Sequence, residues 1–385
     1  MLYRPYGRTG HKISALAMGG MRFEAPADIE RMAEIAVYLY DRGVNYFDTA
    51  PDYCDDKSEE IVGAAVKEMK KRPCPEVNRA VGNAQRFFVA TKTFAGTEKE
   101  IRQELERSLK RLNVECIDFY HVWCVRSWAE WLQRKGQGVV AAFRKMKDEG
   151  LVRHIAASIH LSSADIKRLV KEGVFEGFTV GFCAANFAYR EAGLRAASRA
   201  GLGLVVMNPF AGGAYWQAPD RFEFLKTHAG DDLVRGGLRF VLSHREITAA
   251  LVGVRNLSDA QSALRAAQDL ELLSSRKLSA LKARARSALA ALCTCCNYCR
   301  DCPADLPVSR LMDAYNYIEF GQTKAVYGRL RYHWGVEDLP ALLDKCTGCA
   351  QCEQACTQRL PIRERLAKLR ATWDEIAAER ARQKK

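Results

Sequence analysis

The chain has 385 residues, 48% of them hydrophobic and 27% charged, with 14 cysteines and a formal net charge of +13 at pH 7. That length suits one large domain and a small one, and no run reaches the eighteen or so apolar residues of a membrane-spanning helix. The first ten residues, Met1 to Gly10, hold no apolar segment of a secretory leader, so the sequence predicts a cytoplasmic protein in a reducing setting.

Eight short apolar runs follow one another along residues 13–270: Ile13–Met18, Tyr46–Phe47, Phe87–Ala90, Ile117–Trp123, His154–Ile159, Phe178–Ala185, Gly203–Met207 and Ala249–Val254. Several are continuously apolar rather than alternating, as parallel strands covered on both faces require. Amphipathic stretches lie between them, including Ile29–Asp41, Ser58–Lys71, Glu98–Leu112, Gly138–Glu149 and Ser163–Lys171. Gly43, Gly150, Gly173 and Gly201 stand where helices would end before the next strand. Eight βα units over about 250 residues predict a (β/α)8 TIM barrel. An open doubly wound sheet is the rival, weakened because no G-x-G-x-x-G follows the first run. Residues 259–290 read as helical and lead to a small, mostly α-helical ferredoxin-like module, giving domains at 1–285 and 286–385.

Nine cysteines fall between residues 293 and 356. Cys346, Cys349, Cys352 and Cys356 form the C-x2-C-x2-C-x3-C run that holds a 4Fe–4S cluster in bacterial ferredoxins. Cys293, Cys296, Cys299 and Cys302, followed by Pro303, form a close variant, with Cys295 out of register. Zinc is the rival metal, but its thiolate ligands usually come as two separated pairs. Disulfides are poorly served by cysteines three residues apart. Two clusters are the expectation, one the smaller alternative. If the last cysteine of each run serves the other cluster, Cys293, Cys296, Cys299 and Cys356 form one set, and Cys346, Cys349, Cys352 and Cys302 the other. Beyond them, residues 363–385 read as an amphipathic helix with a solvated basic face of Arg365, Lys368, Arg380 and Arg382. Such a surface suits an acidic electron-transfer partner better than nucleic acid.

In a barrel the chemistry gathers at the C-terminal ends of the strands. Asp48 ends the second run, Tyr53 lies just after it, and Lys92 ends the third. A Lys ammonium beside a Tyr hydroxyl favours the tyrosinate, and a neighbouring Asp keeps the Lys charged, which makes Tyr a usable general acid.

These residues carry a resemblance. Gly43-Val-Asn-Tyr-Phe-Asp48-Thr-Ala-Pro-Asp-Tyr53, with Ser58, Glu59 and Gly63, resembles the aldo/keto reductase signature, as do Phe88 to Lys92 and Lys147 to Ser158. The barrel followed by two cysteine runs is similar to the ferredoxin-fused branch of that family. The resemblance implies interconversion of a small carbonyl substrate and its alcohol with NADPH or NADH. Tyr53 would act as acid, tuned by Lys92 and Asp48, while Ser158, Asn186, Asn208 and Arg255 would meet the cofactor. The family histidine has no counterpart in register: Trp123 stands there, and His121 lies two residues earlier, roughly 6.6 Å deeper at about 3.3 Å per residue. His121 would replace it only through a shift or bulge, and His160 is the other candidate. Phe182 replaces a glutamine that often holds the nicotinamide amide, and Ser262-Ala263 replace the usual adenine-contacting pair. An electron-transfer module with a degenerate barrel is the alternative, and delivery of electrons from clusters instead of hydride a third reading.

Overall fold

Apolar strands alternating with one-sided helices close on themselves in the structure, a computed structural model that describes residues 1–76, 82, 87–293, 299–356 and 359–383. An antiparallel hairpin, β1 (Tyr3–Pro5) and β2 (Lys12–Ser14), precedes the barrel. The barrel strands are β3 (Leu16–Gly19), β4 (Tyr46–Asp48), β5 (Phe88–Thr93), β6 (Ile117–Val125), β7 (Val152–Ile159), β8 (Gly177–Gly181), β9 (Gly203–Met207) and β10 (Ala249–Gly253). All eight pair in parallel, and β10 closes against β3. The helices Ile29–Asp41, Ser58–Lys71, Glu98–Leu112 and Ser163–Lys171 fall where periodicity places them. Local chemistry starts them: Thr97 and Glu100 exchange side-chain and backbone bonds in a capping box, and Ser162 accepts from Asp165 N–H.

Two expectations change. The run Ile13–Met18 is not one strand, because Ser14 and Asn45 exchange hydrogen bonds (Ser14 N–H to Asn45 Oδ1, 2.7 Å; Asn45 N–H to Ser14 Oγ, 3.0 Å) and turn the hairpin into the barrel at Ala15. The helical stretch 259–290 is two helices, Leu257–Ala267 and Ser275–Ala288. The break has a cause: the Arg235 guanidinium takes the carbonyls of Arg265, Gln268 and Asp269 at 3.1–3.2 Å, and Ser274 caps the next helix.

The hairpin plugs the bottom of the barrel with Tyr6, fully buried against Phe119 (4.2 Å between ring centroids) and Tyr46. Only glycine fits over this ring, since a Cβ at Gly177 or Gly203 would come within 2.1–2.3 Å of it. Gly203→Ala is therefore expected to lower unfolding stability by about 1–3 kcal/mol, as overpacking of a filled core does, in a urea titration of the full chain.

After residue 290 a second core forms around Leu311, Tyr315, Leu330, Trp334, Leu369 and Trp373, with Cys293 buried in it and Cys299, Cys302, Cys352 and Cys356 packed at its edge. Its long elements are Val308–Glu319 and the terminal helix Ile362–Gln383. The basic face of that helix is not wholly solvated. Arg365 is buried, with its guanidinium 4.8 Å from the Tyr315 ring, because the apolar stem and planar head of an arginine pack on an aromatic surface. No helix among the described residues is long and apolar enough to cross a membrane.

This C-terminal part sits across the loops that follow β6 to β9. His333 meets His160 edge-on at 4.5 Å, Phe320 packs on Phe222 at 5.6 Å, and Arg221 pairs with Glu319 at 3.3 Å.

Candidate active site

Asp48 and Lys92 end neighbouring strands, and both are 2% exposed. Lys92 Nζ donates to Asp48 Oδ1 and to the Thr49 carbonyl, each at 2.6 Å. The same ammonium lies 5.0 Å from the ring centroid of half-buried Tyr53 and acts on its hydroxyl through charge and a hydrogen bond. Burial pushes the Lys92 ammonium down, but Asp48 and Tyr53 outweigh it and the net shift is up. Burial raises the Asp48 carboxyl against the pull of Lys92.

Tyr53 corrects an expectation. Lys92 does pull its hydroxyl down, but burial is the larger effect, and the phenol ends above its usual value. It therefore holds its proton throughout the neutral range. A neutral phenol bonded to a cation is a proton donor to any oxygen that reaches it.

His121 sits one register position across from Lys92 and is fully buried. Its Nδ1 meets the Thr91 carbonyl at 3.2 Å and its Nε2 meets Thr179 Oγ1 at 3.0 Å. Burial and then Lys92 push the imidazole down to about 3. Both nitrogens are thus engaged inside the barrel, and the structure does not bring His121 to the rim. The strand does bulge, but between Val122 and Val125, beyond His121. The bulge puts Cys124 in the left-handed region at φ 57° and re-aims Trp123. Trp123 then lies 5.5 Å edge-on from Tyr53 and stacks on Phe94 at 4.0 Å. An apolar ring occupies the ground beside the phenol. His160 lies farther round the rim, buried and pushed well down by burial and by Arg190, Arg329 and Arg126.

The expected cofactor residues are spread around the same mouth. Ser158 is buried in β7. Asn186 Oδ1 accepts from Cys183 N–H at 2.8 Å, fixing the turn after β8. Asn208 is left-handed at φ 55° after β9. Arg255, largely exposed after β10, is held in a fork by Asp259 (2.7 and 3.0 Å), while Asn256 caps the following helix and donates to Glu24. These groups supply an amide partner and a guanidinium at the surface, a donor set that fits a nicotinamide dinucleotide.

Sequence reasoning missed the Thr49 carbonyl, the Thr91 Oγ1 to Glu59 Oε1 bond (2.7 Å) behind it, and the whole roof contributed by residues 313–333. The available signal was Asp313, set between the apolar Leu311-Met312 and Ala314-Tyr315 of that helix and buried with them.

Of the metal candidates, Cys296 lies outside the described residues. Cys302 and Cys352 come close enough for the charge of one to raise the other, although burial is the larger cause for Cys352. The second run winds through Gly348 and Ala350, at φ 68° and 61°, around Cys346 and Cys349, which are exposed. The Gln351 N–H, then the Thr347 side chain, hold the Cys349 thiol below its usual value. Among the described residues, no three His, Cys, Asp or Glu side chains form a metal-binding group.

Residues 15–284 match the sequence profile of the aldo/keto reductase family. The chain belongs to that family. As an aldo/keto reductase it is an NAD(P)-dependent oxidoreductase. It is 25% identical over 300 residues to L-galactose dehydrogenase of Arabidopsis thaliana, covering 70% of this chain and 89% of that one. It is 24% identical over 324 residues to the uncharacterized oxidoreductase YrpG of Bacillus subtilis, covering 71% and 94%. The holo form of an aldo-keto reductase from Bacillus halodurans superposes with a TM-score of 0.60 at 20% identity, over 74% of this chain and 96% of that one, a likeness of fold. The family profile ends at residue 284, before the cysteine-rich part of the reductase.

Proposed function

We propose that this oxidoreductase interconverts a small carbonyl compound and its alcohol, with Tyr53 as the acid in reduction and the base in oxidation. The observation that carries the reading is Lys92 held between Asp48 and Tyr53, with Asp48 2.6 Å away. When bound, the reduced nicotinamide supplies the hydride. Tyr53 gives its proton to the carbonyl oxygen, Lys92 stabilises the phenolate that results, and Asp48 keeps Lys92 charged. Ser158, Asn186, Asn208 and Arg255 are the groups we assign to hold the cofactor. His121, with both nitrogens engaged, acts as a positioning residue behind Lys92.

We further propose domains at 1–285 and 286–385, with 4Fe–4S clusters in the second. Support comes from the donor spacing, the separate core after residue 290, the Cys349 loop that favours a thiolate, and the approach of Cys302 to Cys352. Cys293, Cys296, Cys299 and Cys356 would hold one cluster, and Cys302, Cys346, Cys349 and Cys352 the other. When bound, such clusters relay single electrons or brace the fold. An acidic electron-transfer protein and a cytoplasmic setting belong to the same reading.

The test is an anaerobic titration of the full chain with NADPH and NADH, following nicotinamide fluorescence and visible absorbance. Saturable binding without bleaching of an iron–sulfur band is expected. Bleaching would route electrons through the clusters, and no binding would leave an electron-transfer module with a degenerate barrel. The Arg255 environment adds a prediction. Its fork already grips Asp259, and Glu24 lies near. A 2′-phosphate there would meet two carboxylates, whereas a ribose hydroxyl can donate to one. NADH should bind more tightly than NADPH, by about tenfold, and Asp259→Gln should narrow the gap.

A further inference from the structure

Where the C-terminal part roofs the rim it encloses a pocket of about 30 Å3, lined among others by His160, Asn186, Arg190, Asn208, Asp313 and Arg329. Arg190 is 2% exposed. One of its terminal nitrogens donates to the Gly181 carbonyl, but its Nε has no hydrogen-bond partner and no carboxylate lies within ion-pairing distance of it among the described residues. Arg329 donates to Asp313 Oδ2 at 2.6 Å, and the same oxygen accepts from Trp334 Nε1 at 2.7 Å. Among the described residues, the Asp313 carboxylate thus lies between two guanidinium groups, Arg329 in contact with it and Arg190 acting at longer range. The field this leaves is positive: burial first, and then the guanidinium groups (Arg190 foremost at His160, Arg329 foremost at His333), push both imidazoles well down, so neither carries charge at neutral pH.

A buried cation with an open donor is costly unless something pairs with it. Room for one water takes roughly 10–15 Å3, so this space admits a group of about two oxygens. That is much less than a nicotinamide ring with its carboxamide, so the pocket differs in kind from a cofactor seat, although Asn186 and Asn208 border it. A guanidinium fork with amide donors beside it is the surrounding a planar carboxylate matches.

We infer that this pocket binds a small carboxylate, seated on Arg190 and Arg329 where the barrel rim meets the C-terminal part. The carboxylate is either a free anion such as formate or one end of a 2-oxo acid presented to the rim.

The experiment measures thermal unfolding of the anaerobically purified full chain against sodium formate, with sodium chloride at matched ionic strength as control. Saturable stabilisation by formate beyond chloride is expected. Arg190→Gln should raise the half-saturating formate concentration at least about tenfold, the loss of a charge-assisted fork. Arg190→Lys, which keeps the charge but not the fork, should raise it less. A second arm identifies the source. If pyruvate turns over with a lower KM than its amide, and Arg190→Gln removes the difference, the carboxylate belongs to the substrate. Equal KM values with formate binding intact make it a free anion. No formate effect beyond chloride in the unmodified chain overturns the site, whatever the variants do. Failure of turnover alone would count against the reductase reading and leave the formate result standing.

Discussion

Tyr53→Phe should remove carbonyl reduction almost entirely, by about 10^2–10^4 in kcat, while NADH binding stays within about twofold. The effect is expected at the large end because, among the described residues, no histidine stands beside the phenol to take over as acid. Trp123 fills that place with an apolar ring 5.5 Å away, and both nitrogens of His121 are tied to Thr91 and Thr179. The pH profile follows from the sign of the shift. Burial raises Tyr53 above its ordinary value of 10.0, with Lys92 opposing. Reduction, which needs the phenol protonated, should be level across neutral pH and fall only on the alkaline side. Oxidation, which needs the phenolate, should rise with pH over the same range. Steady-state rates in both directions check this, and retained reduction by Tyr53→Phe would remove the residue from its role.

The second large effect is on stability. Asp48→Asn should destabilise the fold by about 3–5 kcal/mol, because it leaves the Lys92 ammonium buried without its counter-charge. Lys92 is 2% exposed, and its remaining partners, the Thr49 carbonyl and the Tyr53 hydroxyl, are neutral, so neither they nor water replace the lost carboxylate. Replacing both partners, Asp48→Leu with Lys92→Met, should cost less than the single change, since no orphaned charge remains. Urea unfolding of the three variants separates the outcomes. If the double variant is the least stable, the pair stabilises the fold outright and desolvation is not the dominant cost.

The barrel was legible because most strands are short apolar runs and several helices start at a side-chain cap, as at Thr97–Glu100 and Ser162, so local and global preferences agree. Asp48, Tyr53 and Lys92 were legible for a related reason: each ends or follows a run at the face where a barrel works. What periodicity could not show is set by long-range contact. Ala15 looks like mid-strand until Asn45 bonds to Ser14. Arg365 reads as a solvated basic residue until Tyr315 lies under it. The bulge after His121 has no sequence mark, because Cys124 carries no feature of a left-handed residue. The roof over the rim joins Cys124 to Tyr332 and His160 to His333, pairs far apart in the chain, and no local pattern encodes them.

The decisive measurement follows the hydrogen itself. Reduction of a carbonyl substrate by the full chain with nicotinamide deuterated on the transferred face of C4, in ordinary water, should place one deuterium on the carbinol carbon of the alcohol. Product alcohol with solvent hydrogen at that carbon would mean that electrons arrive singly, and that Tyr53 does not serve a hydride transfer.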